Sequence, residues 1–160
     1  MVAEREDINS KYAQVDVVME RRADLIPNLV STVKGMAAHE QSVIDSVTNA
    51  RAKLGSAQTP ADKFAANSQL DGALSRLLVV VENYPNIKAS DSFQNLQTEL
   101  EGAENRISIA RRDYNNAIQK YDTDIAVFPK NIAASMFGFQ RNDNYFKASE
   151  EAKAVPKVQF

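Results

Sequence analysis

The stretch DSFQNLQTELEGAENRISIARRDYNNAIQKYDTDIAVF, residues 91–128, decides the fold. Within it Phe93, Leu96, Leu100, Ala103, Ile107, Ala110, Tyr114, Ala117, Tyr121 and Phe128 follow in steps of three and four, with one missed beat at Asp124, beside which Ile125 stands. Such steps keep apolar side chains on one stripe of an α-helix, whereas a strand alternates in twos. At 1.5 Å per residue the stretch predicts a helix about 55 Å long. A helix of that length needs long partners to cover its stripe.

The partners lie upstream. Leu70, Leu74, Leu77, Val81 and Tyr84 form a second stripe; Ile26, Leu29, Val33, Met36, Val43, Val47, Ala50 and Leu54 a third; and Ile8, Tyr12, Val15 and Met19 a further one. Between Leu54 and Leu70, Gly55 suits a left-handed helix end, Thr59 an N-cap, Pro60 the first helical position and Asp62 the reciprocal capping role. The break at 83–92 contains Pro85 and ends on Asp91, which reads as the next cap. Short loops join antiparallel neighbours. The expected architecture is therefore all-α: one domain over residues 1–160, an antiparallel up-and-down bundle of about four long helices with its core at 4–128, and an aromatic-rich, irregular or briefly helical tail at 129–160.

Pro27 admits two readings. The positions 8, 12, 15, 19, 22, 26, 29, 33 and 36 keep their three-four alternation across it, as one long kinked helix would. A continuous helix from Glu4 to Leu54, however, would be about 75 Å long and outrun the Leu70 stripe by half. Length favours a break here, with Asp24 as N-cap and Pro27 in the first turn of a new helix.

After Phe128 the periodicity stops. The last 33 residues hold six of the twelve aromatics: Phe128, Phe137, Phe139, Tyr145, Phe146 and Phe160. Pro129 can open a short helix that Gly138 closes, and Asp143 can cap another over Tyr145 to Ala152. Aromatics in so polar a setting either fold back onto the bundle, the expectation preferred here, or meet a partner.

Composition narrows the chemistry. Cys and Trp are absent and His39 is the sole histidine, which removes thiol chemistry, disulfides and multi-histidine metal sites. With 19 Lys and Arg against 21 Asp and Glu there is no basic face for nucleic acid beyond the pairs Arg21-Arg22 and Arg111-Arg112. The longest apolar run is Leu77 to Val81, far short of a membrane span. Di-iron bundles need two Glu-x-x-His motifs, and zincin helices a second His where Val43 stands. Nucleophile elbows and phosphate loops are missing as well. The reading is of a protein without catalytic residues, metal or cofactor.

Two charges do interrupt apolar seams, Arg22 and Glu40. Seam charges cost stability unless paired or wetted. Arg22 is expected to snorkel at a bundle end and Glu40 to meet Arg106, Arg111 or Arg112 on the long helix. Arg21, Arg22, Asp24, Pro27 and Asn28 form one candidate structural or partner-facing patch, and Phe137, Phe139, Tyr145 and Phe146 a second. For both, building the bundle is the simpler role.

The run AQVDVVMERRADLIPNLV at 13–30, followed by Val33-Lys-Gly35, resembles the signature of the LemA family. A second signature is similar to Phe128-Pro129, Asn131, Phe137-Gly138-Phe139, Tyr145-Phe146 and the closing Val155 to Phe160. Tyr12 departs from it, since members often carry Trp there. The resemblance implies a bacterial protein with one N-terminal transmembrane helix followed by a helical bundle, of poorly characterised function. Met1 to Glu4 falls where that helix would end, so the chain is expected to be the soluble portion of a protein anchored in the cell membrane, the alternative being a homologue that natively lacks the anchor. The implied role is a scaffold or adaptor at the cell envelope, its partner another protein or a second copy. The alternative is a self-assembling, membrane-shaping or envelope-stress support protein.

Overall fold

A computed structural model describes residues 1–35 and 40–147 of the chain. The expectations that fall on Met36, His39 and residues 148–160 lie outside the described residues. Most of the described chain is helical: α1 (Val2–Asp24), α2 (Ile26–Lys34), α3 (Gln41–Ser56), α4 (Pro60–Val81), α5 (Pro85–Lys88), α6 (Asp91–Ala126) and α7 (Lys130–Met136), with no strand among the described residues. The all-α bundle expected from the stripes is the fold observed.

The 36-residue α6 is the axis of the molecule. Nine positions of its stripe, from Phe93 to Tyr121, are buried. The tenth is not: α6 ends at Ala126, Val127 turns extended, and Phe128 leaves the helix 74% exposed. Ser90, one residue before the expected Asp91, is the N-cap and accepts from the Phe93 amide at 3.3 Å. Thr59 caps α4 as expected, accepting from the Asp62 amide at 3.1 Å with Pro60 in the first turn, but no return bond from the Asp62 side chain forms. Gly55 does not take a left-handed conformation; α3 runs through it to Ser56, and extended Ala57 ends the helix.

Contacts between side chains give the course of the chain. Tyr12 meets Tyr114 and Arg22 meets Glu104, so α1 runs antiparallel to α6. Tyr12 also meets Phe64, and Arg22 meets Asp71, so α4 runs in the same sense as α1. Arg51 donates to the Ala23 carbonyl at 3.0 Å, which brings α3 back beside the end of α1. The order is up, down, up, down. It consists of two antiparallel pairs, α1–α6 and α3–α4, packed face to face.

Pro27 interrupts the helix without turning the chain. Leu25 alone separates α1 from α2 and keeps a right-handed helical backbone, and Leu29 still donates to its carbonyl at 3.1 Å. Asp24 is accordingly the last residue of α1 and not an N-cap. Pro27 sits in the first turn of α2, where its missing N–H leaves nothing unsatisfied. Arg22, Ile26, Leu29 and Val33 stay buried on one seam across the bend. It is α3, starting at Gln41, that runs in the opposite direction, and in it Ile44 takes the buried place expected of Val43.

The pair α1–α6 is longer than the α3–α4 hairpin, and the tail covers the difference. Gly138, at φ 73°, closes α7: its amide bonds back to Ser135 and that of Phe139 to Ala134, the paired bonds of a Schellman motif. Residues 139–147 then run back along α6. The hydroxyls of Tyr121 and Tyr114 donate to the carbonyls of Gln140 and Asn144, each at 2.8 Å. The Asn115 side chain clasps both backbone groups of Phe146, at 2.6 and 2.8 Å. Phe146 itself is 2% exposed and stacked on Phe64 at the head of α4, ring centroids 4.3 Å apart. No helix begins at Asp143; residues 143–147 are extended or irregular, because their backbone groups bond to α6 side chains. Phe146→Ala is expected to cost about 3 kcal/mol in chemical denaturation, the scale for a buried phenylalanine; an unchanged midpoint would show that the tail does not hold the bundle.

Candidate functional site

Two regions depart from a plain apolar bundle: a buried charge at its middle and an apolar surface at its foot. The first centres on Arg22, 2% exposed and so not snorkelling at a bundle end. The α1 seam points its guanidinium between α4 and α6. There it donates to the carboxylates of Asp71 and Glu104 and, at 2.6 Å, to the side-chain carbonyl of Asn67, which is itself buried. The planar fork of arginine suits three acceptors on two helices. Its Nε finds no partner among the described residues.

This is one cation facing two carboxylates. Burial is the largest influence on Glu104 and pushes its carboxyl above the usual range; Arg22 pulls the other way and the Asp71 charge adds to the rise. Nearby, burial and then the neighbouring Tyr12 push the Tyr114 hydroxyl up to about 12, so it remains a donor to Asn144. The ensemble has no open cleft and no nucleophile paired with a base. Its chemistry is the fixing of α1 against α4 and α6.

Glu40 does not meet an arginine of α6. It stands at the N-cap position of α3, half-buried, and accepts from the Tyr84 hydroxyl at 3.2 Å. Because α3 runs antiparallel to α1 and α2, Glu40 at its start is off the seam on which a continuous helix would have placed it. The bend residues also separate. Arg22 and the apolar seam face inward, while Arg21, Asp24, Pro27 and Asn28 face solvent, Asn28 accepting from Thr32 at 2.9 Å through its carbonyl.

The aromatic candidates divide as well. Phe146 is core, and Tyr145 is half-buried with its hydroxyl 3.4 Å from Asp122. Phe139 is half-buried under the Arg5 guanidinium, 5.0 Å from the ring centroid. Phe137 alone stays out, 74% exposed. It is joined there by Val127, Phe128, Ile132 and Met136, so most of the large apolar side chains exposed among the described residues lie between 127 and 137. On α7, Ile132 and Met136 share the outer face and Ala134 turns inward. Lys130 pairs with Asp124 at 3.3 Å, tying α7 to the foot of α6. Val2, also exposed, begins α1 at that same end.

Sequence reasoning singled out Arg22 but missed Asn67, Asp71 and Glu104. Asn67 was within reach, since it lies three residues before Leu70 on the α4 stripe and is polar there. Asp71 and Glu104 lie beside their seams and give no such signal. No described helix is long and apolar enough to cross a membrane.

The chain matches the model of the LemA family over residues 11–160. Among curated proteins it is 30% identical over 168 residues to Magnetosome protein MamQ 2 of Paramagnetospirillum magneticum, covering 89% of this chain and 61% of that protein. It is 26% identical over 162 residues to Magnetosome protein MamQ of Magnetospirillum gryphiswaldense, covering 85% and 60%. It is 24% identical over 161 residues to Protein LemA of Metamycoplasma hominis, covering 99% and 70%. The chain thus spans about 61% of the length of the MamQ relatives of Paramagnetospirillum magneticum.

The Arg22 cluster makes two opposed predictions. Arg22→Met leaves the half-buried carboxylates of Asp71 and Glu104 without their cation and is expected to cost about 3 kcal/mol at neutral pH, less in acid, where Glu104 protonates. Glu104→Gln keeps the Arg22–Asp71 pair. Because the folded pKa of Glu104 is raised, its protonated form favours folding; that contribution is full below the unfolded value and fades as pH rises through the folded one. The two proteins should have similar melting temperatures near pH 4, with the variant increasingly the more stable towards pH 8. A gap that widens in acid instead would show that Arg22, and not burial, governs this carboxyl.

Proposed function

The chain belongs to the LemA family, and from that premise we propose that it is a non-enzymatic bundle that binds other proteins at the bacterial cell envelope. In the full-length protein it is held to the membrane by a helix preceding α1. One observation carries this reading: the exposed apolar foot made by Val127, Phe128, Ile132, Met136 and Phe137. A cluster of exposed large apolar side chains is unfavourable in water and marks a surface that a partner can cover. Helical bundles recognise partners by offering such a face to a helix or groove.

The position of the foot supports the same reading. Val2 opens α1 beside it, so a preceding anchor would bring the foot towards the membrane surface, where other envelope proteins are met. The Arg22 cluster and the folded-back tail brace the bundle that carries this end.

Because the foot residues are exposed, polar substitution there changes folding stability by less than about 0.5 kcal/mol. Phe128→Ser with Phe137→Ser is therefore expected to retain the helical spectrum and melting temperature while losing the proteins co-purified with the full-length, envelope-extracted wild type. Identical partner profiles for the two would remove the foot from the binding surface. Fractionation of the full-length protein into the soluble phase would remove the anchor from the proposal.

A further inference from the structure

The α1–α6 pair has a second unoccupied surface, on the side of α1 opposite Val15 and Met19. It is a groove of about 520 Å³ with a floor of Ala13, Val17, Val18, Ile109 and Ala110. Val17 and Ile109 are each about half exposed. They face each other across the groove, because the antiparallel register that sets Tyr12 beside Tyr114 and Arg22 beside Glu104 also sets residue 17 opposite 109.

Charges flank this apolar centre in a particular order. Arg106, Ile109 and Asp113 occupy one stripe of α6 at i, i+3 and i+7. Arg106 has no carboxylate partner among the described residues and lies instead over Gly102, 3.5 Å from where a Cβ would stand. Asp113 has only a distant, solvated pairing with Arg112, at 3.8 Å. The two groups are about 10.5 Å apart along the helix, equally spaced about a point between Ile109 and Ala110.

A twofold axis through that point converts the pattern into its own complement. In a symmetric contact residue i of one copy meets j of the other and j meets i. Two α6 helices crossing antiparallel at Ile109–Ala110 would set Arg106 of each copy against Asp113 of the other, with Ile109 against Ile109 and Val17 at the flank. A parallel crossing would oppose like charges, which is repulsive.

We propose that this groove seats a second copy of the chain in that antiparallel arrangement. The contact is independent of the apolar foot, about 25 Å away along α6, so the rod can pair through its back while the foot remains open. The area is small, and interfaces below about 1,200 Å² are weak and transient; self-association is expected at concentrations on the order of 0.1 mM.

Analytical ultracentrifugation of the 160-residue chain at rising concentration, in low salt, tests this. The expected result is a monomer–dimer equilibrium that weakens as salt screens the pairs. Arg106→Asp alone opposes two aspartates and Asp113→Arg alone opposes two arginines, so each should weaken the dimer about tenfold or more, while the double swap restores it. Since the chain has no cysteine, Ile109→Cys offers a second reading that leaves the charges alone. Mild oxidation should link Ile109→Cys chains into dimers and leave Val79→Cys, exposed on α4, monomeric. A monomer up to about 0.5 mM, a double swap as weak as the single ones, or equal cross-linking at both positions would overturn the proposal.

Discussion

The molecule is organised by an inequality of length. Joined across their bend, α1 and α2 match α6, while α3 and α4 do not, so a two-layer bundle would leave some of the long pair uncovered in water. Exposing that much apolar stripe is opposed by roughly 25 cal/mol for each Å². The chain covers the gap with the segment after Gly138, which lays Phe146 on Phe64 where α4 begins. What remains outside, the 127–137 elbow needed to turn the chain around, becomes the apolar foot. Core, tail and candidate surface therefore share one cause.

A buried arginine at the middle of such a rod is not there for stability alone. Similar bundles with apolar residues at such sites are often at least as stable. What Arg22 adds is register, since Asn67, Asp71 and Glu104 lie on two helices and satisfy it only when both stand at one height. Sliding α4 by a turn would carry Asn67 and Asp71 away from the guanidinium and leave it Glu104 alone, whereas leucine against leucine would tolerate the slip.

Most of the bundle was legible because heptad-like stripes report directly which face of a helix is buried. Nine stripe positions of α6, the Thr59 cap and the Gly138 closure follow from local chemistry. The errors have local causes too. A proline in the first turn of a helix costs nothing, so Pro27 says little about direction, and the reversed direction of α3 interrupts the stripe no more than the bend does. The partners of Arg22 were hidden because Asp71 and Glu104 lie beside their seams, where acidic residues on a helix usually face water. The tail was read by its aromatics, but the residues that hold it, Asn115 and Asp122, belong to α6 and look like solvated surface until something bonds to them.

The tail also gives the molecule a mechanical direction. Its attachments along α6 are in series, from Gln140 through Asn142 and Asn144 to Phe146, and the most deeply buried of them is farthest from the Gly138 hinge. A load that lifts the segment from its Phe146 end would meet the buried ring first and then the part-buried hydrogen bonds of Asn144, Asn142 and Gln140 in succession. A load applied at the foot would reach those weaker links while Phe146 still holds. The segment thus resembles a latch whose deepest hold, the Phe146 ring, lies far from the foot, with the hydrogen-bonded links set between that ring and the Gly138 hinge.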